Sequence, residues 1–188
     1  MNLKKLPSIL LIISILPVFG QVDTAQSITY HPIGVFHTQY SARTGAPRQG
    51  ILMPGTRGRI EIFSPYHRAL NTLNLFEYII VLYHFSEVDG WESIVNPPAS
   101  SHEHNFGLFS TRSPKRPNPI GLSIVKLEKI KDGILYVSGV DAFEGTPVLD
   151  IKPYLPSVDC VNSIQNELVE KELGHHDEDF ISDSIFYK

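Results

Sequence analysis

A short segment of the chain concentrates side chains that bind anions. Residues 112–118 include three cations and an amide: Arg112, Lys115, Arg116 and Asn118. Three prolines fall between positions 114 and 119. Because proline fixes φ and lacks a backbone N–H, residues 113–119 are predicted to form neither a helix nor a central strand. We expect a rigid loop that holds its donors in set directions, as a binding site requires. The same composition also fits a surface turn whose charges are solvated.

Two further positions carry groups that can do chemistry. His84 lies near the end of an apolar run, 78–85, which is predicted to be a strand buried on both faces. An imidazole titrates near neutral pH, so His84 is a candidate general base, although a histidine in this position is more often a hydrogen-bonded core residue. Asp141 and Glu144 open a segment with a glycine and two prolines, and 141–154 is predicted to be a second constrained loop.

The sequence argues against metal and nucleotide sites of familiar kinds. His102 and His104 alternate around Glu103, but no third ligand follows at a useful spacing. Cys160 is the only cysteine, which excludes an internal disulfide, thiolate zinc clusters and iron–sulfur sites. The glycine-rich dinucleotide and phosphate motifs and the G-x-S-x-G motif are also missing. We therefore predict no metal, and a nucleotide-type ligand would bind outside a Rossmann crevice.

The elements that position these residues are predicted to be mainly strands. Alternation of apolar and polar residues predicts strands over 59–63 and 120–131, and Asp132-Gly133 predicts a hairpin turn into a returning strand over 134–140. An edge strand is predicted over 28–37. Short strands joined by segments rich in proline and glycine indicate a mainly β domain that is closed or strongly curved.

Two helices complete the predicted domain. Ser64-Pro65 is typical of a helix start, and we expect the helix to reach about Leu75, with Leu70, Leu73 and Leu75 facing the core. Helical spacing predicts a second helix over 161–173.

The two ends of the chain differ from its body. Lys4 and Lys5 precede an apolar run, 6–19, which is typical of a secretory signal peptide cut before Gln21, with an uncleaved anchor as the alternative. Residues 21–157 carry twelve acidic and twelve basic side chains, whereas 158–188 carry eight acidic and two basic. We predict a signal peptide or anchor over 1–20, a flexible lead-in over 21–27, one β domain over 28–157, and an acidic C-terminal extension over 158–188.

Four stretches together resemble the TsaA-like family, whose characterised members are the TrmO-type S-adenosylmethionine-dependent tRNA methyltransferases. The stretches are Ile33-Gly34-Val35 with Pro47-Arg48-Gln49, then 81–91, then 107–123 with its Arg116–Gly121 core, and finally 144–147 with 152–156. The resemblance covers roughly residues 28–157. It implies a single β-barrel domain, usually dimeric, with S-adenosylmethionine bound at loops. It also implies methylation of N6 of threonylcarbamoyladenosine beside the tRNA anticodon.

The resemblance also implies which residues form the site. The cofactor pocket would be formed by Gly50, Ile51, Leu52, His84, Phe85, Arg112, Leu122, Asp141, Ala142, Phe143 and Glu144. Lys115 and Arg116 would contact RNA phosphate. The family often has aspartate at the position of Glu144 and glutamine at that of Phe85. No catalytic base is assigned beyond the candidate His84.

The N-terminal segment and the resemblance predict different compartments. A tRNA methyltransferase works in the cytoplasm, whereas a signal peptide predicts an exported or periplasmic protein. Two functions are therefore expected. One is a methyltransferase that uses S-adenosylmethionine and acts on tRNA. The other is an exported, non-catalytic protein of the same family that binds a small ligand or a protein partner.

Overall fold

The computed structural model describes residues 27–96 and 105–162. Within these ranges the strands are β1 (Gly34–His37), β2 (Arg57–Ile62), β3 (Tyr78–His84), β4 (Ile94–Val95), β5 (Phe106–Gly107), β6 (Ile120–Lys131), β7 (Ile134–Ser138) and β8 (Pro147–Pro153). Short 3₁₀ helices cover Gly50–Leu52, Ser64–Leu70, Leu73–Leu75 and Leu108–Ser110, and one α-helical turn, α1, covers Pro156–Asp159. No helix in the described part of the chain is long and apolar enough to cross a membrane.

Six strands close into an antiparallel barrel in the order β1-β2-β7-β6-β3-β8, and β4 pairs with β5 in a separate small sheet. The prediction of a mainly β, closed domain is confirmed. Closure gives β1 a partner on each side, so the prediction that 28–37 forms an edge strand was wrong. Because neighbouring strands alternate in direction, the end of β3 and the starts of β6 and β8 lie at the same end of the barrel.

The barrel interior is filled by apolar side chains from every barrel strand. The largest fully buried side chains are Phe36, Ile60, Ile79, Val81, Val125, Leu135, Val137, Val140 and Val148. Within the strands most of them alternate with more exposed neighbours, as the two-residue period of a strand requires, and Val140 lies just after β7. Removing this apolar surface from water is the main contribution to the stability of such a domain.

The β6–β7 hairpin forms where the sequence predicted it. β6 covers 120–131 as expected, and Asp132 and Gly133 both adopt positive φ, 52° and 78°. A tight turn with two positive φ values matches the twist of the flanking strands, which explains the preference for Asp-Gly. The predicted strand over 59–63 is confirmed as β2, and residues 113–119 form neither helix nor strand, also as predicted.

The prediction that β3 is buried on both faces was wrong. Ile79, Val81 and Tyr83 are buried, whereas Ile80 and Leu82 are only half-buried. Barrel closure explains the difference, because one face of each strand points to the interior and the other points outward. The apolar side chains at the outward positions, Ile80 and Leu82, are therefore half-buried.

The prediction that 141–154 is a single constrained loop was wrong for its second half. Residues Pro147–Pro153 form β8, which pairs with both β1 and β3. The two prolines stand at the first and last positions of the strand, where a missing N–H costs little. Because prolines are also typical of loops, the sequence pattern predicted a loop here instead of a strand.

The predicted helix over 64–75 appears as two 3₁₀ helices separated by Thr72, whose φ is 65°. Leu70 and Leu73 pack on the core as predicted, but Leu75 is 76% exposed. The first helix begins at Ser64, so its N-cap residue is Phe63 rather than Ser64, and no side chain caps its first N–H groups. The helix predicted over 161–173 lies almost wholly outside the described residues.

Candidate functional site

The site begins with the attachment of the Gly50–Leu52 helix to the barrel. The backbone N–H of Gly50 donates to Oδ2 of Asp141 at 2.9 Å, across 91 residues of sequence. A Cβ on Gly50 would lie 1.8 Å from the carbonyl oxygen of Gly139, so a side chain at this position is excluded. The helix also packs against β6, the strand that carries Leu122. Predicted site residues from two distant segments, Gly50 and Asp141, therefore meet here, and the helix that carries Gly50 packs on the strand that carries Leu122.

The Asp141 carboxylate lies in the interior, although the residue as a whole is only half-buried. Burial raises the pKa of Asp141 to about 6, because an ionised carboxylate loses its hydration there. Hydrogen bonds from Ser123 and Gly50 and the charge of Arg112 act in the opposite direction. Burial on one side, and hydrogen bonds and a nearby cation on the other, thus set the charge of the Asp141 carboxylate.

Two residues that support Asp141 were not among the predicted site residues. Ser123 donates to Oδ1 of Asp141, and the Ser123 and Tyr83 oxygens are 3.1 Å apart. A hydroxyl has one hydrogen, so Tyr83 donates to Ser123 while Ser123 donates to Asp141. The Tyr83 ring lies against Gly121, where a Cβ would be 2.2 Å from a ring carbon. A hydrogen-bonded chain of Tyr83, Ser123 and Asp141 results.

The sequence contained a signal for Ser123. Ser123 is 4% exposed, and it occupies the same inward face of β6 as Val125 and Leu127. A serine in an inward series of apolar residues is a buried polar group that needs a partner. Leu122, which the resemblance assigns to the cofactor pocket, is 46% exposed and lies on the outward face of the same strand.

A shallow, open pocket lies beside Asp141. Four predicted site residues line it: Phe85, Asp141, Ala142 and Phe143. Tyr83 and Glu87 add a phenol and a carboxylate to the wall. The rings of Tyr83 and Phe85 meet edge to face, with centroids 5.3 Å apart. The pocket therefore combines aromatic surface with a few polar groups, which is typical of small-molecule sites.

Arg112 reaches this region from the loop before β6. Its Nη1 atom donates to Oε1 of Gln49, the residue before the Gly50–Leu52 helix. The arginine has five N–H donors and uses one of them on this neutral partner. The Oγ atom of the adjacent Ser113 is buried with no hydrogen-bond partner among the described residues. The N–H donors of Arg112 and the unsatisfied hydroxyl of Ser113 are thus next to each other in the chain.

Glu144 takes part in a different set of contacts. Its carboxylate accepts from Nδ1 of His37 at 2.8 Å and from the backbone N–H of Thr38 at 2.6 Å. Burial alone would raise the pKa of Glu144, but the His37 and Thr38 hydrogen bonds outweigh it and lower the pKa. Nε2 of His37 lies 3.0 Å from Glu61. Hydrogen bonds to Glu144 and Glu61 raise the pKa of His37. Glu144 therefore joins the loop after β7 to the end of β1.

The two remaining cations of the loop already have partners. Nζ of Lys115 lies 2.8 Å from Glu92, and Nη1 of Arg116 donates to the carbonyl of Thr111 at 3.0 Å. The Arg116 guanidinium also lies over the Phe109 ring, 5.5 Å from its centroid. Of the two residues predicted to contact RNA, Arg116 is therefore held by its own loop, and Lys115 by a carboxylate outside that loop.

The last predicted residues lie around the same end of the barrel. His84 ends β3 and pairs in register with Ile120. Ile51 is 59% exposed on the Gly50–Leu52 helix, and Leu52 is half-buried. In the part of the chain that the structure describes, no three histidine, cysteine, aspartate or glutamate side chains are placed to hold a metal ion. His102 and His104 lie outside that part.

Comparison with known proteins identifies the family. Residues 35–160 match the family described as the tRNA-methyltransferase O N-terminal domain. An S-adenosyl-L-methionine-binding protein of Archaeoglobus fulgidus is 39% identical over 136 residues, which is 72% of this chain and 96% of that protein. The tRNA (adenine(37)-N6)-methyltransferase of Escherichia coli is 38% identical over 138 residues, 69% of this chain and 59% of that enzyme.

Solved structures agree with these relatives. The crystal structure of TrmO from Pseudomonas aeruginosa aligns with a TM-score of 0.60 at 35% identity, over 74% of this chain and 62% of that one. This chain therefore corresponds to somewhat under two thirds of the crystallised protein. The predicted family and its β-barrel are confirmed. The chain belongs to the TsaA-like family of the tRNA-methyltransferase O N-terminal domain.

Proposed function

We propose that this protein binds S-adenosylmethionine and transfers its methyl group to N6 of an adenosine in tRNA. The observation that carries the proposal is the junction of Gly50–Leu52, Asp141 and Arg112 at one end of the barrel. These are residues that the family resemblance assigned to the cofactor. The names of the relatives from Archaeoglobus fulgidus and Escherichia coli support the cofactor and the acceptor class respectively.

The side chains present suit the groups of this cofactor. It carries an ammonium, a carboxylate and two ribose hydroxyls. The Asp141 oxygens accept hydrogen bonds from Ser123 and Gly50, and they keep lone pairs that can accept from a hydroxyl or ammonium donor. Arg112 keeps free N–H donors for a carboxylate. The unsatisfied Ser113 hydroxyl offers a further polar contact, and exposed Ile51 and Leu122 offer apolar surface.

The chemistry asks mainly for alignment. When bound, the cofactor supplies a methyl group on a positively charged sulfur, which is already activated for transfer. The residues of this chain then bind both reactants and hold the methyl group close to the acceptor nitrogen. Such orientation can account for a large part of the rate enhancement. The acceptor nitrogen loses a proton, and His84, at the same end of the barrel, is the candidate to receive it.

Two measurements test the cofactor and the reaction. Calorimetry should show S-adenosylmethionine binding to the full chain, weakened by Arg112→Ala. Labelled methyl groups should then appear in tRNA. Gly55→Ala is the control, because nothing lies within 4 Å of its added Cβ. Absence of heat with the wild-type protein would remove the cofactor from the proposal, and binding without labelled tRNA would remove the acceptor.

We further propose that the acceptor is threonylcarbamoyladenosine beside the anticodon and that the protein is a homodimer. The family resemblance supports both. Transfer to tRNA that carries the threonylcarbamoyl group should exceed transfer to the unmodified transcript, and equal rates would contradict this specificity. Sedimentation velocity tests the dimer directly.

The N-terminal segment favours a second function. Lys4, Lys5 and the apolar run over 6–19 support an exported or periplasmic protein that binds a small ligand or partner without catalysis. Sequencing the N-terminus of the native protein decides between the two. A start at Gln21 with recovery outside the cytoplasm would exclude the tRNA reaction, whereas an intact segment with cytoplasmic recovery would exclude export.

A further inference from the structure

A surface beside the candidate site exposes two aromatic rings that the proposed reaction does not use. Phe109 is 79% exposed and Trp91 is 58% exposed. We refer to Trp91, Phe109 and the neighbouring Arg116 as the aromatic platform. Exposed rings of this size are unfavourable in water and are typical of binding surfaces. Both residues adjoin the small sheet of β4 and β5: Trp91 lies three residues before β4, and Phe109 lies in the short helix that follows β5.

Backbone hydrogen bonds join the two segments that carry the rings to each other and to the loop over 111–116. The N–H of Leu108 donates to Ser93 at 3.0 Å, and the N–H of Glu92 donates to Lys115 at 3.4 Å. Leu108 itself is 3% exposed. The helix Leu108–Ser110 is therefore anchored by its first residue, while the next residue, Phe109, projects into solvent. Trp91 adjoins the segment that is bonded to the same loop.

Arg116 gives the platform its charge and its rigidity. Its guanidinium lies 5.5 Å from the Phe109 centroid, and Nη1 donates to the carbonyls of Thr111 and Ser113 at 3.0 and 3.5 Å. These partners are neutral, as is the Gln49 partner of Arg112. Neither arginine therefore makes a close ion pair with a carboxylate among the described residues, whereas Lys115 is paired with Glu92.

We propose that the aromatic platform stacks unpaired bases of an RNA loop while Arg116 contacts its phosphates. This inference rests on the proposed function for its choice of RNA. Every base has a flat face for stacking, and the backbone carries the negative charge that the Arg116 guanidinium requires. A second copy of this chain fits less well, because a two-fold contact would bring the same arginines together. Arg112 connects the platform to Gln49 and so to the candidate site.

The chain provides its own reporter, because Trp91 is the only tryptophan in the sequence. We would titrate the full chain, without cofactor, with an unmodified anticodon stem-loop and with a blunt duplex of the same stem. Stacking predicts saturable quenching of Trp91 fluorescence by the stem-loop and weaker quenching by the duplex. A labelled stem-loop gives the affinity independently by anisotropy.

The variant that tests the platform is Phe109→Ala. We expect it to weaken stem-loop binding on the order of tenfold. Tyr30→Ala is the matched control, since Tyr30 is 65% exposed and lies outside the platform; its affinity should equal that of the wild type. Equal affinity of the Phe109 and Tyr30 variants would overturn the proposal. So would a complete lack of RNA binding.

Two further outcomes separate this inference from the proposed function. If Phe109→Ala weakens RNA binding but no methyl transfer occurs, the platform stands and the reaction fails. If methyl transfer occurs and Phe109→Ala leaves RNA affinity unchanged, the reaction stands and the platform fails. Should sedimentation show a dimer that Phe109→Ala dissociates, with RNA affinity unchanged, a second copy covers the rings and the inference is wrong.

Discussion

The carboxylate of Asp141 accepts a hydrogen bond from the backbone N–H of Gly50 at 2.9 Å. This one contact joins the long irregular segment before β2 to the loop after β7. It also directs the other oxygen of Asp141 to Ser123, and through Ser123 to Tyr83. The arrangement of the candidate site therefore depends on backbone approach at Gly50 and on a polar chain inside the barrel.

The close approach at Gly50 predicts a large effect of a single methyl group. In Gly50→Ala the new Cβ would meet the Gly139 carbonyl oxygen at 1.8 Å, and both groups are backbone. We expect a loss of about 3 kcal/mol in the free energy of unfolding, measured by urea denaturation. Gly55→Ala has nothing within 4 Å and should stay within about 0.5 kcal/mol of the wild type. Similar stabilities for the two variants would contradict the contact.

The polar chain predicts an order of severity. Ser123→Ala removes the donor to Asp141 and should cost about 1–3 kcal/mol, because a buried carboxylate oxygen loses its partner. Tyr83→Phe leaves the Ser123–Asp141 bond in place and should cost about 1 kcal/mol. In calorimetry, Ser123→Ala should likewise weaken S-adenosylmethionine binding more than Tyr83→Phe does. If Tyr83→Phe proved the more damaging change, the direction of the chain assigned here would be wrong.

Asp141 predicts a dependence of stability on pH. Its pKa is raised from 3.8 to about 6 in the folded state, so its contribution is fully present below pH 3.8 and is lost as pH rises through 6. The stability of the wild type relative to Asp141→Asn should therefore fall by up to about 3 kcal/mol between pH 4 and 7. Urea denaturation at several pH values measures this.

Asp132→Asn is a suitable control for that comparison. The Asp132 side chain is 82% exposed in the β6–β7 turn, where the carboxylate stays in water. The stability of Asp132→Asn relative to the wild type is measured over the same pH range. A constant difference between the wild type and Asp141→Asn would show that the carboxylate is hydrated in the folded protein.

The bridge from Glu144 through His37 to Glu61 predicts a second pH window. The pKa of His37 is raised from 6.5, so its contribution is present below pH 6.5 and is lost as pH rises through the higher folded value. The pKa of Glu144 is lowered from 4.5, so its contribution is present above pH 4.5 and is lost as pH falls further. Both contributions are complete between pH 4.5 and 6.5.

The variant His37→Gln tests that window. Within it the variant should be less stable than the wild type by about 1 kcal/mol or less, since the groups are partly exposed, and the difference should shrink toward pH 9. His31→Gln, at an exposed position, is the control. A deficit that stays constant from pH 5 to 9 would mean that His37 acts by packing rather than by charge.

Much of the fold was readable from the sequence because its signals are local. The two-residue alternation of 120–131 and the Asp-Gly turn after it define β6 and its hairpin. The prolines of 113–119 fix that segment as a loop. The strand β8 escaped prediction because prolines at its two ends resemble loop boundaries, although they fall where a strand tolerates them.

Local patterns in the sequence were enough to infer the β-rich barrel class, the rigid loop that carries Arg112, and the family. The folded structure was needed to show that Ser123 points inward while Leu122 points outward, that Asp141 reaches Gly50, and that Glu144 is held by His37. Periodicity fixes which residues share a face of a strand, but it does not fix which face is inside. Closure of the barrel sets that choice, and contacts across 91 or 107 residues exist only after closure.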